Sequence, residues 1–256
     1  MPSNDRALRV VIPARLRSQR LPEKPLIDLA GKPMVVRVFE AVNAGLGDRD
    51  IVVAVDDPRV MSVLDEYRIP GAMSSQSCAS GTDRVAEVAR VRSWGLGDIV
   101  INVQGDEPLV PPDLLAAFAN FCLEREDFAM GTVSVPVQEL HEITDPSVVK
   151  LIVAADGSAL SFSRSPIPFD RDRAPEAWDP ANYRRHLGIY AYRNDVLQRL
   201  TATPQCALER IESLEQLRAL WLRIPIKVMD WDSAPPGGVD TAEDVERVTA
   251  YLNSRQ

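Results

Sequence analysis

Short β-branched runs alternate with amphipathic segments through the first half of the chain, and this alternation constrains the fold more than any other feature. Val10 to Ile12 precede a helical run from Met34 to Ala44, Ile51 to Val55 precede Arg59 to Tyr67, and Ile99 to Val103 precede Pro112 to Leu123. Strand, helix, strand, helix is the pattern of a largely parallel sheet covered on both faces. Right-handed crossovers place consecutive strand-to-helix loops on one edge, so Arg15, Asp56, Gln104 and Asp106 are expected to converge. The second half reads differently. Phe128 to Val137, Val148 to Ala154, Ser158 to Phe162 and Arg185 to Tyr192 read as strands, and the stretch from Arg164 to Tyr183 has no clear periodicity. A helix from Leu208 to Trp221, a strand from Ile224 to Met229 and a last helix from Ala242 to Leu252, capped by Thr241 or Asp240, complete the reading.

The loop after the first strand carries four cations, Arg15, Arg17, Arg20 and Lys24, within ten residues of a chain whose net charge is -8. At the carboxyl edge of an α/β sheet such a loop suits a polyanion, and the prolines of Pro22-Glu23-Lys24-Pro25 stiffen the presentation of Lys24. Solvated surface cations are the alternative. The acidic balance argues against unspecific binding to nucleic acid or to an anionic membrane, since both would be repelled over most of the surface. No run reaches the roughly 18 to 20 apolar residues of a membrane span, and no leader-like apolar stretch opens the chain, so the expected compartment is the cytoplasm. Three widely separated cysteines fit neither a disulfide framework nor a zinc site. At 256 residues, 45 % hydrophobic and 26 % charged, one compact domain over residues 1–256 is expected.

Gln104-Gly105-Asp106-Glu107-Pro108 follows an apolar strand, which puts a carboxylate at the sheet edge where Mg²⁺ and phosphates are held. Asp240 in Gly238-Val239-Asp240-Thr241 is the candidate second acid, and turn capping is the competing reading for both. Ser80-Gly81-Thr82-Asp83-Arg84 opens a helix, either as a grip for a base or phosphate or as a capping motif. His186 stands in Arg185-His186-Leu187-Gly188-Ile189-Tyr190, where alternation would put His186, Gly188 and Tyr190 on one face. Nothing near either histidine forms a Ser-His-Asp or Cys-His constellation. Glu209, Glu212 and Glu215 recur at a three-residue spacing and read as solvated. Gly31-Lys32-Pro33 is not a phosphate-binding Walker loop, and no Gly-x-Gly-x-x-Gly follows the first strand.

Taken in order, Ile12-Pro13-Ala14-Arg15 with Ser18, Arg20-Leu21-Pro22, Lys24-Pro25-Leu26, Ser80-Gly81-Thr82-Asp83-Arg84 and Asn102-Val103-Gln104-Gly105-Asp106-Glu107-Pro108 resemble the 3-deoxy-manno-octulosonate (Kdo) cytidylyltransferases, the CMP-Kdo synthetase family. Phe162-Ser163-Arg164-Ser165-Pro166, Arg185-His186-Leu187-Gly188-Ile189-Tyr190, Glu212-Ser213-Leu214-Glu215-Gln216-Leu217-Arg218 and Gly238-Val239-Asp240-Thr241 extend the resemblance from about Leu8 to Val248. It implies a three-layer α/β fold, a mostly parallel, Rossmann-like nucleotidyltransferase sheet with a β-rich dimerisation insertion over about 128–195, and a homodimer. It implies CTP and a sugar-acid acceptor as substrates, Mg²⁺ held by Asp106 and Asp240, and catalytic roles for Arg15, Lys24, Asp106 and Asp240. Nucleotide contacts are expected at Ala14, Arg15, Arg20, Lys24, Ser74, Ser80, Gly81, Arg84 and Asp106. Acceptor contacts are expected at Gln104, Arg164, His186, Tyr190, Glu215 and Gln216. Val55, Ser74 and Cys78 depart from the family pattern in loops that face the nucleotide. A different acidic acceptor, such as 8-amino-Kdo or a phosphonate, and a non-catalytic nucleotide-binding paralogue therefore stay open.

Overall fold

The computed structural model describes residues 6–16, 20–47 and 49–255; Arg17 and Ser18 of the basic loop lie outside them. The chain divides into two compact units, residues 1–124 with 235–256, and residues 125–234.

In the first unit β1 (Leu8–Ala14), α1 (Met34–Leu46), β2 (Asp50–Val55), α2 (Pro58–Glu66), β3 (Gly71–Met73), α3 (Gly81–Val91), β4 (Ile99–Asn102) and α4 (Pro112–Leu123) follow one another. The strands lie in the order β3-β2-β1-β4, every pair parallel. Because β1 to β3 progress one way and β4 returns to the far side of β1, right-handed crossovers put α3 on the face opposite α1 and α2. The burial pattern agrees, since five of six residues of β2 and all four of β4 are buried, as a sheet covered on both faces requires. Helices α1 and α4 meet closely at Gly45, where a Cβ would stand 2.4 Å from the Pro112 carbonyl oxygen. The reversal between β1 and β4 is the point at which α/β sheets open a ligand crevice.

The second unit carries β5 (Met130–Pro136), α5 (Leu140–Thr144), β6 (Lys150–Val153), β7 (Ala159–Ser163), β8 (Arg184–Arg193), α6 (Asn194–Ala202), α7 (Ala207–Glu212), α8 (Gln216–Trp221) and β9 (Ile226–Asp230). Strand β5 pairs antiparallel with β8 and parallel with β9, while β6 joins β7 and β8, both antiparallel. The aperiodic stretch before β8 is anchored by two single 3-10 turns, Pro175–Ala177 and Pro180–Asn182. Trp178 and Tyr183 from this stretch are buried against Val137 and Ile143, which makes a small satellite core. Helix α9 (Ala242–Asn253) belongs to the first unit and is capped by Thr241, whose hydroxyl accepts from the Asp244 amide while Asp244 accepts from Thr241 in return.

Two expectations are corrected. The single helix from Leu208 to Trp221 is two helices, broken at Ser213, whose backbone is left-handed at φ 53°. That break turns α7 and α8 toward each other and overturns the solvated reading of the glutamates. Glu209 is 2 % exposed and paired with the Arg218 guanidinium at 2.8 Å, and Arg218 also donates to the Leu200 and Thr203 carbonyls. Along β8 His186 and Tyr190 share a face, as alternation placed them, but through an irregular register. A bulge between Thr132 and Val133 leaves Gly188 and Ile189 unopposed, so the rings of His186 and Tyr190 stand 5.2 Å apart. Four residues of regular strand would span about 13 Å.

Candidate active site

The first unit builds a charged rim from the ends of β1, β2 and β4 and the turn before α9. Gly105 lets the loop after β4 cross the end of β1: a Cβ there would sit 2.4 Å from the Pro13 carbonyl oxygen. The neighbouring Asp106 is tied down through its backbone, whose carbonyl accepts from the Val239 amide at 2.9 Å, and Gly238 packs so closely that a Cβ would stand 2.7 Å from the same oxygen. These two close approaches bring Asp106 and Asp240 together although 134 positions separate them in the chain (240 - 106).

Lys24 completes the arrangement. It opens a 3-10 turn between Pro22 and Pro25, with Glu23 left-handed just before it at φ 53°. Its ammonium donates to Asp106 Oδ2 at 2.7 Å and to Asp240 Oδ1 at 2.9 Å, and its side chain is only 12 % exposed. Arg20 reaches the same Asp240 oxygen at 3.1 Å from a side chain that is largely exposed. Arg15 is exposed and makes no ion pair among the described residues. The turn-capping alternative does not describe Asp240, since Thr241 supplies the cap of α9.

The expected nucleotide contacts on α3 divide. Ser80 caps the helix in a reciprocal pair with Asp83, and Gly81 stands beside Pro13 and Gln104, a Cβ there lying 3.4 Å from Pro13 Cγ and 3.8 Å from Gln104 Oε1. Arg84, in contrast, is buried. Its guanidinium donates to Asp56 Oδ2 at 3.1 Å and to the Ser74 hydroxyl, which donates in turn to the Val55 carbonyl at 2.9 Å. Asp56 also accepts from the Leu16 amide at 2.9 Å, so this buried pair fastens the end of β2 to the loop that carries Arg15. Cys78 donates to Glu87 at 3.0 Å, and burial together with that carboxylate pushes its thiol up to about 11. Ala14 closes β1 as a buried residue.

The second unit gathers the expected acceptor contacts except Gln104, which belongs to the first. The Arg164 Nε donates to the Glu212 carbonyl at 2.7 Å and one terminal nitrogen donates to the Pro146 carbonyl at 2.8 Å. The Glu212 carboxylate accepts from the Ser163 hydroxyl at 2.7 Å and from the Arg164 amide at 3.0 Å. Glu212 therefore fixes Arg164, a role its sequence spacing did not disclose. His186 packs edge-on against Phe162 and beside Tyr190 and hydrogen-bonds Thr132 through Nε2 at 3.0 Å. Its removal from water pulls its pKa down to about 3, so the ring is neutral. Burial, with Tyr192 and Glu215 nearby, raises the Tyr190 phenol well above its ordinary value, and it stays protonated. Gln216 follows Glu215 at the start of α8, and its Nε2 is buried with no hydrogen-bond partner among the described residues. An orphaned donor of that kind is costly unless a ligand or water meets it. Asn102, an amide inside an apolar strand, is likewise buried with both polar side-chain atoms unpartnered there.

The donor set also bears on a metal. Asp106 and Asp240 both aim carboxylate oxygens at one point, the place taken by the Lys24 ammonium, and no group of three or more His, Cys, Asp or Glu side chains forms a closed ligand cage among the described residues. Two carboxylates without nitrogen or sulfur ligands fit Mg²⁺, which completes its shell with substrate phosphates and water.

The chain matches the cytidylyltransferase family over residues 9–226. It is 56 % identical over 251 residues to 3-deoxy-manno-octulosonate cytidylyltransferase 2 of Paraburkholderia phytofirmans, covering 98 % of this chain and 95 % of that one. It is 49 % identical over 243 residues to 3-deoxy-manno-octulosonate cytidylyltransferase of Polynucleobacter necessarius, covering 95 % and 94 %. Among solved structures, CMP:2-keto-3-deoxy-manno-octonic acid synthetase complexed with CTP superposes with a TM-score of 0.89 at 38 % identity, covering 98 % of this chain and 100 % of that one. A cytidylyltransferase from Leptospira borgpetersenii, 14 % identical with a TM-score of 0.63, shares the fold. With a carboxylate-flanked lysine at the sheet reversal and relatives that match it almost end to end, the chain belongs to the cytidylyltransferases and, among them, to the 3-deoxy-manno-octulosonate cytidylyltransferases.

Proposed function

We propose that this protein transfers CMP from CTP to the 2-keto-3-deoxy sugar acid Kdo, releasing pyrophosphate. The observation that carries the reading is Lys24, held between Asp106 and Asp240 at the edge of the first unit's sheet. In the reaction a hydroxyl oxygen of the acceptor bonds to the α-phosphorus of CTP, the bond to the bridging oxygen of the pyrophosphate group breaks, and the hydroxyl proton passes to solvent. Such a transfer needs positioning and charge neutralisation more than a covalent nucleophile. Arg15, Arg20 and Lys24 supply cations for the triphosphate, and the Gly81 end of α3 offers backbone amides beside Gln104. Lys24 exchanges its carboxylate partners for phosphate oxygens when the nucleotide arrives. Asp106 and Asp240 would then hold Mg²⁺, which supplies charge neutralisation at the phosphates and lowers the pKa of a bound hydroxyl.

On the acceptor side Arg164 offers a cation for the sugar-acid carboxylate. The neutral His186, the protonated Tyr190, Glu215 and the unpartnered Gln216 amide offer hydrogen bonds to its hydroxyls. A cytoplasmic location and a homodimer complete the proposal. Among the described residues no helix is long and apolar enough to cross a membrane. The exposed Leu208 and Ile211 of α7 support self-association, which light scattering on the purified protein tests.

The deciding assay is pyrophosphate release from CTP with Kdo and Mg²⁺, with a chelator control. Turnover with another acidic acceptor and none with Kdo moves the acceptor and keeps the reaction. Binding of CTP without product over a panel of sugar acids and phosphonates refutes catalysis.

A further inference from the structure

Thr132 is fully buried on β5, and its hydroxyl has three neighbours: the Ile189 carbonyl at 2.8 Å, the Leu187 carbonyl at 3.3 Å and His186 Nε2 at 3.0 Å. Both carbonyls belong to the bulged stretch of β8, where the register slips and Gly188 and Ile189 have no opposing residue. The hydroxyl owns one proton and two lone pairs. If that proton pointed at the imidazole, two oxygens 2.8 Å apart would face each other with no hydrogen between them. If it points at Ile189, the shorter and stronger of the two carbonyl contacts is made, the longer one to Leu187 is left as a weak contact, and the hydroxyl oxygen is free to accept from the ring.

We infer that Thr132 is a positioning residue that fixes His186 as the neutral tautomer with its proton on Nε2, leaving Nδ1 as a bare acceptor for a hydroxyl of the sugar-acid substrate. The ring is also confined by Phe162, edge-on at 5.2 Å, and by Tyr190 at 5.2 Å, so its orientation as well as its tautomer is set. His186 as a residue is half-buried, and its Nε2 meets the hydroxyl of the fully buried Thr132. The depressed imidazole pKa agrees, since a ring held neutral must place its single proton on one nitrogen or the other. The inference rests on the acceptor-binding reading of His186 and adds to it the direction of the hydrogen bond and the residue that enforces it.

Two measurements on the full chain separate the inference from that reading. In long-range proton–nitrogen correlation spectra of histidine-labelled protein at pH 7, with His186→Ala used for assignment, His186 is expected to carry its proton on Nε2. Thr132→Val, which keeps the shape and removes the hydroxyl, is expected to populate the Nδ1-protonated form. In steady-state kinetics with Kdo, CTP and Mg²⁺, Thr132→Val should raise KM for Kdo about tenfold, the value of one hydrogen bond, with kcat and KM for CTP within about twofold. Thr132→Ser restores the hydroxyl and should restore KM. A wild-type proton on Nδ1 overturns the inference even if Thr132→Val fails to fold, and so does a shifted tautomer with an unchanged KM for Kdo. If His186→Ala leaves KM for Kdo unchanged, it is the acceptor reading that fails, while the wild-type tautomer still reports on Thr132 alone.

Discussion

The two units solve the problem of holding polar groups in different ways. In the first, ions face ions at an open edge: Lys24, Arg20, Asp106 and Asp240 form a chain of contacts of 2.7 to 3.1 Å, with both carboxylates more than a third exposed. In the second, the groups that gather around β8 are a neutral imidazole, a protonated phenol and a buried amide, and the charged members, Arg164 and Glu212, are spent largely on each other and on backbone carbonyls. Lys24 is largely covered while both carboxylates keep contact with water, an arrangement that suits the proposed exchange of its partners for an incoming polyanion. Hydrogen bonds in a drier setting are directional, which suits discrimination among hydroxyls of a sugar. The contrast implies that lesions in the first unit act on the chemical step and lesions in the second on acceptor affinity.

The hardest test of that contrast is Asp106→Ala or Asp240→Ala. Either should lower kcat at least about 100-fold, as loss of a group that organises charge in the transition state does, while the circular dichroism spectrum and melting temperature stay close to wild type. A variant that instead raised only KM for Kdo would erase the distinction between the units. Gly105→Ala probes the backbone that carries the same acid. A methyl group placed 2.4 Å from the Pro13 carbonyl oxygen cannot be accommodated without shifting one of the two loops. The expected cost is about 1–3 kcal/mol, read as a fall in melting temperature of roughly 2–12 °C, together with reduced kcat because Asp106 moves away from Asp240. A melting temperature and kcat equal to wild type would show that the close approach does not position the acid.

In the second unit Glu212→Gln keeps the length of the side chain and removes its charge. Its new amide nitrogen can donate to the Ser163 hydroxyl while the remaining oxygen still accepts from the Arg164 amide, so the anchor of Arg164 weakens only by loss of the charge-assisted bonds. KM for Kdo should rise about five- to tenfold with KM for CTP unchanged. Equal effects on both substrates would mean that Glu212 supports the fold generally rather than Arg164 in particular.

How far these features were legible depends on whether they follow from periodicity or from tertiary closure. The parallel strands and helices of the first unit announce themselves, because a sheet buried on both faces demands runs such as Ile99-Val100-Ile101 and its turns demand Gly105 and Pro108. The short strand Gly71–Met73 and the helices Leu140–Thr144 and Asn194–Ala202 escaped, being too short or too polar to show a period. The split of the expected Leu208 to Trp221 helix at Ser213 escaped because serine carries no mark of a left-handed turn, and with it went the burial of Glu209. Crossover geometry brought only Arg15, Asp56, Gln104 and Asp106 to one edge, and it was the family motifs that added Lys24 and Asp240 to Asp106. The bulge that folds His186 onto Tyr190 could not be expected, since the sequence alternates through it without a break. Glu212 read as one solvated acid among three because its partners, Ser163 and Arg164, are 49 and 48 positions away.

The smallest expected effect concerns His186 and acid. Its pKa in the folded chain, about 3, lies below its ordinary value of 6.5. As the pH falls below 6.5 the unfolded chain therefore takes up a proton that the folded chain refuses, and the balance shifts toward unfolding until the pH nears 3. Above 6.5 neither state is protonated at this residue and stability is indifferent to it. Replacing His186 by Gln, which keeps a donor and an acceptor but cannot titrate, should leave urea stability independent of this residue and make its decline between pH 6.5 and 4 shallower by the equivalent of up to one proton. The first unit offers the control, because Arg84→Lys at its buried pair with Asp56 alters charge geometry without adding a group that titrates in that window. Equal slopes in wild type and His186→Gln would mean that the imidazole is accessible enough to protonate in the folded protein. The second unit would then hold a charge at its centre in mild acid, and the division between an ionic rim and a neutral recognition cluster would be lost.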